Sequence, residues 1–172
     1  MKEIIMKDQE QTQLDPLNLR NAFGYFPSGV TALCALIEGK PAGMAVASFT
    51  TVSLDPPLVS VCIQNNSSTW PVLKTAERLG LSVLGSEQHG ICSSLAAKGI
   101  DRFRDISWET SRAGAIFVSD AAMVIECSIH ETIEAGDHQI ILLRLHLFSI
   151  NPHVEPLVFH RSTFRRLDTS LN

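Results

Sequence analysis

The sequence predicts a mainly β or α+β domain, a β-barrel with helices packed on its outside. Apolar β-type runs recur at residues 30–37, 58–63, 121–134 and 138–150. Helix signals are few, and strands and helices nowhere alternate as a parallel βαβ sheet would require. A chain of 172 residues with 45% hydrophobic content supports one full core, read as a single domain over residues 14–168.

Residues 1–13 are polar and unpatterned and read as a mobile leader. Asp15 followed by Pro16 is an N-cap with proline at the first helical position, and Gly24 closes that helix. Residues 26–29 turn the chain into the strand 30–37, and Glu38-Gly39-Lys40 forms a hairpin leading to a return strand, 41–47. Residues 48–54 leave that strand, and Asp55-Pro56-Pro57 prevents regular pairing before the core strand 58–63. A helix over 69–77, entered through Ser67-Ser68-Thr69 and Pro71, precedes the strand 79–84, and a further helix covers 88–97. Ala135-Gly136-Asp137 joins two long strands as a hairpin, and a short strand follows at 157–160.

The excluded chemistry is broad. A net charge of -4 weighs against a nucleic-acid partner, and no apolar run is long enough to cross a bilayer, so a cytoplasmic protein is expected. Cys34, Cys62, Cys92 and Cys127 form no Cys-x-x-Cys pair and read as reduced core residues. The six histidines match no usual metal spacing. Nucleophile elbow, P-loop, His-Glu-x-x-His and Gly-x-Gly-x-x-Gly are all absent.

What remains centres on residues 43–69. Ser48, Thr50, Thr51, Ser53, Ser67, Ser68 and Thr69 are all short, which leaves backbone amides open to a ligand. The helix start behind Ser67-Ser68-Thr69 serves as a phosphate site or as a plain cap. Lys98, Arg102 and Arg104 crowd together, and Lys98 or Arg102 neutralises an anion unless the stretch is simply a solvated helix end. His138, after Gly136-Asp137, either projects toward a cleft or is structural. Hydroxyls, amides and one or two cations without acid–base machinery suit a cofactor that brings its own reactivity, and flavin is one that fits.

The order Phe26-Pro27-Ser28-Gly29-Val30, Gly43-Met44, Ser48-Phe49-Thr50-Thr51-Val52-Ser53-Leu54-Asp55-Pro56-Pro57, Gly136-Asp137-His138 and Pro156-Leu157-Val158-Phe159 resembles the flavin reductase family, the small reductase component of two-component flavin monooxygenases. The resemblance covers about residues 18–167, and its Ser-Phe-Thr-Thr-Val-Ser-Leu-Asp-Pro-Pro motif is highly specific.

It implies an FMN-binding split β-barrel, a homodimer, and reduction of FMN or FAD by NADH or NADPH for a partner flavin-dependent monooxygenase. By position, Ala47, Ser48, Thr51, Val52 and Ser53 would line the isoalloxazine and ribityl chain. Cys62, Ile63, Gln64, Ser67, Ser68 and Thr69 would extend the wall toward the phosphate, and Lys98 and Phe103 would close it. His138 matches the catalytic-site histidine that places the nicotinamide for hydride transfer to flavin N5. The family often has Asn at Ala47, and Gly where Leu143 stands and near Ser162. Leu143 either packs within its strand or narrows the nicotinamide side. The alternative to a reductase is a split-barrel module that holds flavin with little turnover.

Overall fold

The computed structural model describes residues 14–168, so the leader expected over 1–13 lies outside the described residues. Helix α1 (Pro16–Phe23) starts as predicted: Asp15 Oδ1 accepts the N–H groups of Leu17 and Asn18 at 2.9 and 3.0 Å. After the short β1 (Ser28–Gly29), strands β2 (Thr31–Ile37) and β3 (Lys40–Val46) form a hairpin. Its loop residues Glu38 and Gly39 have φ of 49° and 77°, the double positive value of a turn whose twist matches that of the flanking strands.

Strand β4 (Thr50–Leu54) is a correction to the sequence reading. It pairs with β5 (Pro57–Gln64) as an antiparallel hairpin, Leu54 opposite Pro57. Pro56 falls in the connection and Pro57 at the first strand position, where a missing N–H costs no ladder bond. A second correction is α2 (Trp70–Leu73), one turn where residues 69–77 were expected. Thr75 Oγ1 donates to Val72 O at 2.8 Å, a local side-chain bond that competes with helical continuation.

Next come β6 (Leu79–Val83), α3 (His89–Ala96), the paired three-residue strands β7 (Trp108–Thr110) and β8 (Ile116–Val118), β9 (Met123–Ala135) and β10 (His138–Ile150). Strands β11 (Val158–His160) and β12 (Thr163–Arg165) join β1 in a small sheet. The Gly136–Asp137 loop between β9 and β10 needs a positive φ at its first residue, and Gly136 supplies 67°.

Seven strands form one antiparallel sheet in the order β3-β2-β6-β9-β10-β5-β4. The sheet curls until β3 approaches β5, but no ladder joins those two strands. This is a split barrel, closed on five sides and open along one seam. Inside it Leu33, Val61, Ile63, Leu81, Ile125, Ile141 and Leu143 form the main core. A second core lies outside β2, where Ala32 and Cys34 meet Leu95 of α3, Ile116 of β8, Phe103 and Leu157. Burial on both faces explains why β2 is a continuous apolar run. The outer layer lies close: a Cβ on Gly80 would stand 1.9 Å from Ile116 O, so β8 crosses β6 only because residue 80 has no side chain.

Candidate functional site

A cavity of about 540 Å³ opens at the seam. The end of β3 supplies one wall through Met44, Val46, Ala47 and Ser48, and the second half of β5 supplies the opposite wall through Cys62, Ile63 and Gln64. Asn66, Ser67, Ser68 and Thr69 carry the lining from Gln64, which lies opposite His138, toward Lys98 and Arg102 beside Leu95 and Ala96, and His138 also lines the cavity. Ten of the fourteen residues expected at the site are therefore brought together: Ala47, Ser48, Cys62, Ile63, Gln64, Ser67, Ser68, Thr69, Lys98 and His138.

The other four are not. Thr51, Val52 and Ser53 belong to β4, which covers the first half of β5 from Pro57 to Ser60, whereas the cavity follows the second half. Their hydroxyl pattern looks the same as that of Ser48, but the pairing carries them away. Phe103 is buried in the second core, its ring beneath Gly43, where an added Cβ would lie 2.8 Å from the Phe103 Cζ. It borders a second cavity rather than this one.

Ser48 holds the seam together. Its Oγ accepts the Cys62 N–H at 2.8 Å and donates to the Cys62 carbonyl at 3.0 Å, so one side chain stands in for a missing strand partner. Its only proton is thereby spent, leaving a ligand one lone pair. By the alternation of an antiparallel strand, the Gln64 peptide N–H turns to the same side.

The cationic end is organised by Arg102. Its Nε donates to Ala97 O at 2.7 Å, and its Nη1 donates to Gly43 O at 3.0 Å and to Thr69 Oγ1 at 2.7 Å. All three acceptors are neutral, and no carboxylate pairs with this guanidinium among the described residues. The α2 start offers little beside it: the helix is one turn long, and Ser67 Oγ already accepts the Trp70 N–H at 3.2 Å.

Beside His138, Asn65 ties the β9–β10 turn to β5. Its N–H donates to Asp137 O at 3.0 Å and its Nδ2 to Gly136 O at 3.1 Å. His138 Nδ1 lies 2.7 Å from Asp137 Oδ1. This hydrogen bond, with the imidazole's charge, holds the exposed Asp137 carboxyl below the usual carboxylate range. A carboxylate only accepts, so whenever the imidazole is neutral its proton sits on Nδ1 and Nε2 is the acceptor. Sequence reasoning missed Asn65, whose position between Gln64 and the hydroxyl cluster was its one visible signal, and it did not separate the role of Arg102 from that of Lys98.

The cysteines divide. Burial pushes the Cys34 and Cys127 thiols up to about 12, the behaviour of inert core residues, while Cys62 is exposed at the cavity wall, contrary to expectation. No group of three or more His, Cys, Asp or Glu residues could hold a metal among the described residues, and no helix there is long and apolar enough to cross a membrane.

The donor set fits a flavin on the structure's own terms: apolar strand walls, free peptide edges along a seam, short hydroxyls, and a cationic fork at one end only. Comparison with known proteins agrees. Residues 23–168 match the flavin reductase like domain. The chain is 42% identical over 135 residues to a probable flavin reductase of Rhizobium meliloti, an alignment covering 78% of this chain and 43% of that protein, so it spans less than half of that relative's length. It is 30% identical to the reductase subunit HsaB of a flavin-dependent monooxygenase from Rhodococcus jostii, covering 90% of this chain and 80% of the other. The solved structure of the Streptomyces globisporus NADH:FAD oxidoreductase SgcE6, in complex with NAD and FAD fragments, superposes with a TM-score of 0.86 at 33% identity, covering 92% of this chain and 96% of that one.

Proposed function

The chain belongs to the flavin reductase like family, and on that premise we propose that it is an NAD(P)H-dependent flavin reductase that hands reduced flavin to a separate flavin-dependent monooxygenase. The observation that carries this reading is the seam cavity, lined by a cationic fork and by a single oriented histidine. A flavin bound there supplies the chemistry, accepting a hydride from the reduced nicotinamide.

The protein's own residues bind and orient. Ala47, Ser48, Cys62, Ile63 and Gln64 would flank the ring system, and Ser67, Ser68, Thr69 and Lys98 would hold the phosphate. His138 Nε2 would accept a hydrogen bond from the nicotinamide carboxamide, with the imidazole held in that tautomer by Asp137. No side chain is required to exchange a proton during the hydride step, so His138 is a placement group for the co-substrate.

The alternative of a flavin carrier with little turnover gains nothing from Leu143. Leu143 is fully buried in the barrel core and does not line the seam cavity, which supports strand packing as its role. The large apolar residues exposed at the end of β10 and on β4, Leu147, Phe148, Ile150, Val52 and Leu54, support a homodimer formed through this side of the sheet. Four free cysteines, none in a disulfide, support a reducing, cytoplasmic setting.

The test is to purify the protein and follow NADH and NADPH oxidation with and without added FMN or FAD. Rapid flavin-dependent oxidation is expected. A protein that binds flavin yet oxidises neither nucleotide would sink the reductase reading.

A further inference from the structure

The turn that carries His138 stands beyond the last rung of both ladders that reach it. His138 is the final residue of β10 to pair, with Ala135 of β9 on one side and Gln64 of β5 on the other, so no strand pairing extends to Gly136 or Asp137. Packing does not orient the side chains there either. That of Asp137 is 94% exposed and that of His138 35%. Yet Asp137 Oδ1 meets His138 Nδ1 at 2.7 Å, which requires both side chains to leave the backbone in set directions.

One residue at the exit of β5 sets them. Asn65 follows Gln64 directly; its N–H donates to Asp137 O at 3.0 Å and its Nδ2 to Gly136 O at 3.1 Å. Each carbonyl oxygen lies in the rigid plane of the peptide bond that follows it, so these bonds anchor the peptide planes on both sides of Asp137. The bond from Gln139 Nε2 to Glu134 Oε1 at 2.8 Å joins β10 to β9 and gives no such anchor to β5. Asn65 itself does not line the seam cavity, whereas its neighbours Gln64, Asn66 and Ser67 do. The Ser67 N–H closes this turn on Gln64 O at 3.0 Å, and the exposed Asn65 amide is under no burial demand that would explain its bond to the hairpin.

We propose that Asn65 is a positioning residue for the nicotinamide nucleotide: by holding the Gly136 and Asp137 carbonyls it decides where the His138 imidazole stands, and it acts on the reaction only through that ring. This rests on the reductase reading above and deepens it, for it extends the nucleotide's corner to a residue of the strand that forms the flavin wall.

The experiment is steady-state kinetics of the full chain, with NADH and NADPH each varied at saturating flavin, for Asn65→Ala, His138→Ala and the double variant, alongside fluorescence titration with FMN and FAD. Asn65→Ala should raise the nucleotide KM about threefold, with kcat and the flavin Kd changed by less than about twofold. In the His138→Ala background the same substitution should change KM by less than about 1.5-fold, because the group it places is gone. Asn65→Asp keeps the size but turns an acceptor toward Gly136 O, and should raise KM at least as much as Asn65→Ala. An unchanged KM in Asn65→Ala, or a rise that persists in full without His138, would overturn the proposal. So would an equal rise in the flavin Kd, since Asn65 would then shape the flavin wall. An unchanged nucleotide KM in His138→Ala would remove the placement role on which this rests, a failure distinct from one confined to Asn65.

Discussion

The two ends of the seam cavity are held in different ways. At Ser48 and at Arg102, side chains reach across the chain: Ser48 to Cys62, Arg102 to Gly43 and to Thr69. The binding surface there is part of the barrel's own closure, so it exists before any ligand arrives. At the His138 end, one imidazole stands on a two-residue turn, steadied by its sequence neighbour Asp137 and, through the backbone, by Asn65. The difference matches two demands. A flavin is selected by a preorganised wall, while a nicotinamide nucleotide that must arrive and leave meets a sparse, exposed corner.

Substitutions should separate the two ends, and the largest effect is expected where a change strikes the wall's packing. Gly43→Val places a Cβ 2.5 Å from Cys34 Sγ and 2.8 Å from Phe103 Cζ, both buried, so several groups must shift. A loss of about 3 kcal/mol, a markedly lower Tm and loss of flavin binding are expected, measurable by thermal melting and titration. Ser48→Ala removes the clasp of two bonds, each contributing about 1 kcal/mol, and should raise the flavin Kd about tenfold while leaving the KM for the nicotinamide nucleotide nearly unchanged.

The corner should show the reverse pattern. His138→Ala is expected to raise the KM for the nicotinamide nucleotide by about tenfold, well beyond its effect on flavin, in steady-state kinetics with each substrate varied in turn. Equal shifts in both constants would erase the contrast between the two ends. Asp137→Asn should produce a smaller change of the same kind, about two- to threefold, because it releases the tautomer without removing the ring. The folded-state carboxyl of Asp137 titrates below its usual range, so its contribution is present above that range and disappears as pH falls through the lowered value. The substituted protein should therefore lose the acid limb in its KM profile that comes from this group. Smallest of all, Thr51→Ala should change neither constant, since Thr51 lies on β4 beyond the cavity, and stability should shift by less than about 0.5 kcal/mol.

Much of this was legible in the chain. The N-cap at Asp15 and the hairpins at Glu38–Gly39 and Gly136–Asp137 are local devices whose cause lies in the residues themselves, and each appears where it was expected. Strands β7, β8 and β12 have no turn signal or alternation to mark them in the sequence, and they contribute Trp108, Ile116, Val118 and Phe164 to the second core. The hydroxyl stretch 48–54 misled because composition does not record pairing. Ser48 and Thr51 look equivalent in sequence, yet one bridges β3 to β5 and the other rides on an edge strand. Arg102 and Asn65 owe their roles to partners far along the chain, and no local rule points to those partners.

A barrel clasped along its seam by the Ser48 hydroxyl also has a place to breathe. Cys62 N–H is secured to a side chain rather than to a neighbouring strand, so a rotation of Ser48 about χ1 would release it without disturbing the β9–β10 ladder. Amide hydrogen exchange at Cys62 should then outpace exchange at Ile125 or Cys127 by orders of magnitude and slow once flavin is bound. The same small opening gives a large planar ligand a way in and out that costs two hydrogen bonds and leaves the core intact.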